Sequence, residues 1–143
     1  MAISRSLLKV RLILYDKGRI LLLRQTKPNG GNYTLVGGNV ESFEFARESL
    51  IRESYEEAGI ILRPDDLQLV HVLHKRLKRG EHRITLYFKA YRWEGELKAR
   101  ERKKFNEAEW FPLDHLPRNL TQTVRHVLEE YRAGNFYSQM TKK

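Results

Sequence analysis

The chain contains no cysteine. That excludes a disulfide framework, a thiol nucleophile and any cysteine-based zinc site, and it fits a cytoplasmic setting. Long apolar runs are missing as well. No stretch approaches the roughly 20 apolar residues that a membrane-spanning helix needs, so no membrane association is expected. The N-terminal SLLKVRLILY is broken by Lys9 and Arg11 and has no small-residue cleavage site behind it. It reads as a strand, not a signal peptide. No internal repeat, low-complexity block or linker interrupts the 143 residues, a usual length for one domain with one substantial core. Acidic residues are in short supply, 18 Asp and Glu against 27 Lys and Arg, which leaves a formal net charge of +9.

That charge is unevenly spread. Between Lys75 and Lys104 twelve Lys and Arg meet four Glu, whereas between Gly37 and Ile60 six Glu meet two Arg. A basic surface attracts phosphates of any kind, among them nucleotides, polyphosphates, RNA and anionic lipid. A solvated, soluble face is the plain alternative.

Periodicity locates the elements. Leu8, Val10, Leu12 and Leu14 alternate with Lys9, Arg11 and Ile13 as in a half-buried strand, Asp16 and Gly18 supply a turn, and Ile20 to Arg24 returns as the second arm of a hairpin. Lys27 to Asn32 is a loop by composition, and YTLV is a short extended piece leading to Gly37-Gly38. A helix follows, with Ser42 as the expected cap and Gly59 as the expected stop. LQLVHVLHKRL and HRITLYFKAYRW are long strands joined around KRGE, and EAEWFPL is a shorter strand. Val124, Val127, Leu128 and Tyr131 mark a second helix, stopped by Gly134, and the stretch after it is expected to be a loosely held tail. The reading is one α+β domain, residues 1–135, with a C-terminal tail, 136–143.

Within the first helix, Glu53, Glu56 and Glu57 stand at i, i+3 and i+4, on one narrow arc. Like charges at these spacings cost roughly 0.2–0.5 kcal/mol per pair in an isolated helix, and three converging carboxylates would raise one another's pKa. A charged outer face is the ordinary explanation. A bound divalent ion is the other, because Mg²⁺ takes one or two carboxylates together with substrate phosphates. Two neighbours favour the ion: Gly37-Gly38, where a bare backbone allows close approach, and Arg52, which can orient a carboxylate by charge-assisted bonds.

Gly38, Glu44, Arg52, Glu53, Glu56, Glu57 and Gly59, closed by Ile60, fill every polar and glycine position of a 23-residue signature. In this the chain resembles the Nudix (MutT-like) hydrolases. Ser54 stands where that family usually has an aliphatic residue, Val36 where many members have proline, and Phe43 where many have glycine. The resemblance implies an α/β/α sandwich with a mixed central sheet, the box helix and a C-terminal helix. It implies hydrolysis of a nucleoside diphosphate linked to some group X, with Mg²⁺ (or Mn²⁺) as cofactor. Glu53, Glu56 and Glu57 are then the expected metal ligands, joined by the Gly37 carbonyl, with Glu53 the in-box general base and Arg52 and Glu44 fixing the glutamates.

Outside the signature, Arg24 and Gly38 are expected at substrate, Arg24 against the alternative of a solvated strand-end arginine. Tyr33 reads as core rather than a base-stacking ring. Glu107 or Glu109 is a further candidate ligand or base, with an ordinary surface acid as the alternative. Asn119 is an expected N-cap of the last helix, or, as relatives suggest, a reader of a purine edge. The five histidines form no zinc pattern. The basic HKRLKRGEHR hairpin would grip a polyphosphate tail or RNA, or simply discourage strand-to-strand aggregation.

The expected activity is that of a nucleoside triphosphate pyrophosphohydrolase, on a small-molecule nucleotide and as monomer or homodimer, with RNA ranked behind. Members that cleave ADP-ribose or dinucleoside polyphosphates tend to carry a proline or tyrosine some fifteen residues past the signature, and LHKRLKR has neither. Nucleotide sugars and inositol pyrophosphates stay open. The rival is a binding module that keeps the fold without cleaving; such a protein is expected to lose signature glutamates, and this one has lost none.

Overall fold

The computed structural model describes residues 7–141; residues 1–6 of the expected domain and 142–143 of the expected tail lie outside the described residues. The chain opens with β1 (Leu8–Asp16) and β2 (Arg19–Gln25), paired as an antiparallel hairpin through Tyr15–Ile20 and Asp16–Arg19. Both residues of the turn have positive φ, 52° at Lys17 and 77° at Gly18, as two-residue hairpin loops that match strand twist require. β3 (Tyr33–Thr34) and β4 (Val36–Asn39) are short, and α1 (Ala46–Ala58) follows. A second hairpin, β5 (Gln68–Arg76) and β6 (His82–Ala90), leads to β7 (Phe105–Pro112), α2 (Gln122–Arg132) and β8 (Tyr137–Thr141).

One mixed, unclosed sheet carries the strands in the order β3-β2-β1-β6-β5-β8, with β4 also on β1 and β7 also on β2. β1 and β6 run parallel, Val10 beside Leu86 and Leu12 beside Phe88. Because side chains alternate across a strand, β1 feeds two cores at once. Val10, Leu12 and Leu14 pack with Leu50 and Ala58 of α1, while Ile13 packs with Val124, Val127 and Leu128 of α2. The alternation read as one buried face is therefore corrected: Ile13, on the expected polar side, is fully buried because a helix covers that face too. The result is an α/β/α sandwich.

Three local expectations change. Helix α1 begins at Ala46 with Phe45, not Ser42, in the N-cap position, and the Glu48 carboxylate reaches back to accept from the Phe45 N–H at 2.7 Å. This is the returning half of a capping box. The extended piece read as YTLV runs on through Gly37-Gly38, which are strand residues paired to Arg11 and Val10. The expected loose tail is instead β8, parallel to β5 from Val72–Tyr137 to Arg76–Thr141. The cause is His71, wholly buried in β5, whose Nδ1 lies 2.8 Å from the Asn135 carbonyl and Nε2 2.7 Å from Ser138 Oγ. A carbonyl only accepts, so Nδ1 carries the proton and Nε2 accepts from the serine. Burial lowers the His71 pKa, which favours this neutral tautomer.

Candidate active site

The acidic site is assembled where α1 crosses β4. Glycine is required at Gly37 by β1, since a Cβ there would collide with the Val10 carbonyl, and its φ of 155° lies in a region L side chains rarely adopt. At Gly38 the missing side chain leaves room for Glu53: an added Cβ would come within 2.5 Å of Glu53 Oε2. The two glycines thus bring a bare strand against the carboxylates of α1. At the other end of the helix Gly59, with φ 70°, closes it in the left-handed cap expected from the sequence.

Arg52 holds the centre of this surface. Its Nε and Nη2 donate to the two oxygens of Glu44 at 2.7 and 3.0 Å, and its Nη1 donates to Glu53 Oε1 at 2.6 Å and to Glu56 Oε2 at 3.2 Å. Glu41 adds an ion pair to Nη2 at 3.5 Å. The forked contact is the geometry that makes guanidinium–carboxylate pairs strong. The Arg52 hydrogen bond in particular lowers the Glu44 pKa to about 2, and Glu44 in turn raises that of Arg52.

Glu57 is set apart from this network. It is buried, and its Oε1 accepts from the Gly37 N–H at 2.9 Å. Burial pushes its carboxyl well above the usual range, the Gly37 bond offsets part of that, and the Glu53 charge adds to the upward shift. Helix α1 carries the three glutamates on one face, as their spacing predicts, but they take different partners. Arg52 gathers Glu53 and Glu56, Glu56 faces solvent, and Glu57 turns inward to β4. Among the described residues no group of three acidic or histidine side chains stands ready as a metal cage.

Glu53 and Glu57 do share one cavity, of about 430 Å³, together with Gly37, Gly38 and Glu41, and with Arg11 of β1 in its wall. A divalent cation fits this donor set. The oxygens are hard, two carboxylates are the usual protein share of a Mg²⁺ shell whose remainder is water and phosphate, and a buried carboxylate that is costly to ionise alone gains most from a cation beside it.

The other expected residues stand elsewhere. Arg24 lies over the ring of Tyr33, 5.6 Å from its centroid, and Tyr33 is core, donating its hydroxyl to Glu109. Glu107 pairs with Arg24 across β2 and β7 and is exposed. Asn119 does not cap α2, where Thr121 holds the N-cap position; its amide donates to the Gly31 carbonyl at 3.2 Å and ties down the loop before β3. None of these five lines the glutamate cavity. Conversely Arg11, Gln25 and Lys104 line it without having been anticipated; on a strand, Arg11 reads only as the polar side of an alternation. His74 and His82 also meet unannounced, Nε2 to Nδ1 at 2.7 Å across the second hairpin.

A family model described as NUDIX domain matches residues 6–131. The chain belongs to the Nudix hydrolase family. An ADP-ribose pyrophosphatase of Methanocaldococcus jannaschii is 36% identical over 139 residues, covering 90% of this chain and 80% of that protein. An NAD-capped RNA hydrolase NudC of Pseudomonas aeruginosa is 28% identical over 125 residues, but the chain spans only 43% of its length. Among solved structures, a MutT Nudix hydrolase from Burkholderia pseudomallei superposes with a TM-score of 0.76 at 31% identity, covering 85% of this chain and 95% of that one. As a Nudix hydrolase the protein acts on phosphoanhydride substrates, and the family generally uses divalent ions such as Mg²⁺. No helix among the described residues is long and apolar enough to cross a membrane.

Proposed function

We propose that the Glu53–Glu57 cavity hydrolyses the diphosphate of a nucleoside diphosphate linked to X in the cytoplasm, with nucleoside triphosphates as the leading substrates. The observation that carries this is one cavity lined by the buried Glu57 and by Glu53, both from α1, against the side-chain-free Gly37-Gly38 strand. Two carboxylates held so closely favour a divalent cation between protein and diphosphate.

Glu53 and Glu57, with the Gly37 carbonyl, would hold that cation, and Glu56 would join them by releasing Arg52. A cation there supplies charge neutralisation of the diphosphate and a more acidic water. Glu53 is the general base, and its carboxylate is kept in one orientation by Arg52 and the bare Gly38. Arg52 and Glu44 act as positioning residues. They hold the glutamates and their forked pair keeps the guanidinium from swinging away. Gly38 opens the strand surface to substrate; Asn119 ties down the loop before β3, and Arg24, held over the Tyr33 ring, would meet substrate phosphate from the end of β2.

ADP-ribose is the second reading, supported by the name of the 36%-identical archaeal relative. The deciding experiment separates the products formed from nucleoside triphosphates, ADP-ribose, nucleotide sugars and dinucleoside polyphosphates by ion-exchange chromatography, with Mg²⁺ and with Mn²⁺. A triphosphate cut gives pyrophosphate and a nucleoside monophosphate; an ADP-ribose cut gives AMP and ribose 5-phosphate. Metal-dependent turnover that disappears in both Glu53→Gln and Glu57→Gln supports the assignment, and the best substrate names the class. Nucleotide binding without turnover of any compound would leave a non-catalytic module instead.

A further inference from the structure

A second cavity, of about 190 Å³, adjoins the acidic one and shares Lys9 and Arg11 with it as wall. It lies on the α2 face of the sheet and is basic. Lys9, Arg11, Lys75 and Arg83 line it, all half-buried, and no Asp or Glu does. The strand register explains the crowding. Lys9 stands beside Thr85, and Lys75 stands directly opposite Arg83. Like charges facing each other across a strand pair are destabilising, and half-burial strengthens the repulsion by lowering the local dielectric.

Two further observations show what would relieve it. Arg83 Nε is buried and has no hydrogen-bond partner, a donor left without an acceptor. The cavity is also closed by the first turn of α2, which has no side-chain cap and no acidic residue. That end of a helix presents N–H donors and a partial positive charge. Thr123 accepts from Lys75 Nζ at 2.6 Å, so the helix end and the cation are held together. Arg11 joins the two cavities: its Nη1 is fixed on the Leu35 carbonyl at 2.8 Å, and its charge is felt at Glu57.

The geometry points to a phosphate subsite: the substrate carries at least one phosphate outside the diphosphate that is cleaved, and Lys75, Arg83 and the start of α2 receive it. This rests on the diphosphate-hydrolase reading above and narrows it. ADP-ribose has no phosphate outside its diphosphate; a nucleoside triphosphate or a sugar-phosphorylated dinucleotide has.

The test compares compounds that differ by that phosphate alone. ADP-ribose against its 2′-phosphate examines a separate phosphomonoester, and ADP against ATP and adenosine tetraphosphate examines a lengthened chain. In parallel, AMP, adenosine 2′,5′-bisphosphate and inorganic tripolyphosphate are titrated calorimetrically without metal. The extra phosphate is expected to raise kcat/KM at least about tenfold in one arm, through KM, and to tighten metal-free binding by a similar factor. Lys75→Gln and Arg83→Gln should each erase the preference and leave kcat on the partner compound unchanged. Arg83→Gln should melt no lower than the parent, because it breaks a repelling pair and removes a buried donor without an acceptor.

No preference in either arm, or a preference that survives both substitutions, overturns the subsite. A 5′-phosphorylated oligoribonucleotide that binds more tightly than every small compound, dependent on Arg83, would replace it with RNA. If no diphosphate is turned over while the bisphosphate still binds through Arg83, the hydrolase reading fails and the phosphate subsite stands.

Discussion

The two helices lie on opposite faces of one sheet and are seated by different forces. α2 presents Val124, Val127 and Leu128 to Ile13, Leu22 and Tyr87, an apolar stripe on an apolar surface, and its Tyr131 hydroxyl meets that of Tyr15 at 2.6 Å. α1 buries only Leu50 and Ala58 among apolar residues, alongside Ser49, Ser54 and Glu57. Its seating comes from polar contacts: Ser49 Oγ to the Asn39 carbonyl at 3.2 Å, Glu57 to the Gly37 N–H, and the Arg52 network. Burial that would ordinarily stabilise α1 has been given to polar and ionisable side chains, Ser49, Ser54 and Glu57. A helix in that position needs specific hydrogen bonds where its counterpart needs only size and shape.

The sharpest way to expose this difference is Glu57→Gln. The amide can still accept from the Gly37 N–H, and the buried charge is gone. Turnover with Mg²⁺ should fall by more than about a hundredfold, the loss of a ligand exceeding that of an outer partner, while the urea midpoint stays level or rises. The converse break is Leu128→Ala on α2. It should cost about 2–5 kcal/mol in chemical denaturation and leave kcat/KM of the folded fraction unchanged.

Arg52→Lys removes the fork and keeps the charge. Because a lysine cannot hold Glu44 and Glu53 at once, kcat should drop about 10–100-fold with KM nearly constant; a proportional rise in KM would instead mark Arg52 as a substrate contact. Glu44→Gln should lower stability by about 1–2 kcal/mol at neutral pH, and the sign of its pH dependence is set by the depressed pKa. The Glu44 contribution is complete above its ordinary value of 4.5 and is lost as pH falls through about 2. Urea midpoints of parent and variant should therefore draw together below pH 4.5. The smallest effect is expected at Ser54, fully buried with an unpartnered hydroxyl. Ser54→Ala should stabilise by about 1 kcal/mol, by removing an unsatisfied donor and improving helix propensity.

Elements with a strong period were legible in the chain: both hairpins, α1 with its glycine stop, and the apolar stripe of α2. What failed were features that depend on a partner distant in sequence. Ser42 is a good cap by type, but Glu48 serves the helix start from inside. The segment after Asn135 has too weak a pattern to announce a strand, and it becomes one because His71, more than sixty residues earlier, offers two hydrogen bonds in a buried place. At Gly37 it is β1 that leaves no room for a side chain, and at Gly38 it is Glu53 of α1, two partners the local sequence does not announce.

Sequence alone determined the family, the chemistry and the set of candidate glutamates, because a signature held within one helix and its preceding strand is a local pattern. How those glutamates divide came from packing in space, with Arg52 taking Glu53 and Glu56 and burial taking Glu57. Packing also decided that cations spread from Lys9 to Arg83 line one cavity. The reason is physical: charge and burial act through space, so their partners come from the register of strands that the linear order does not reveal.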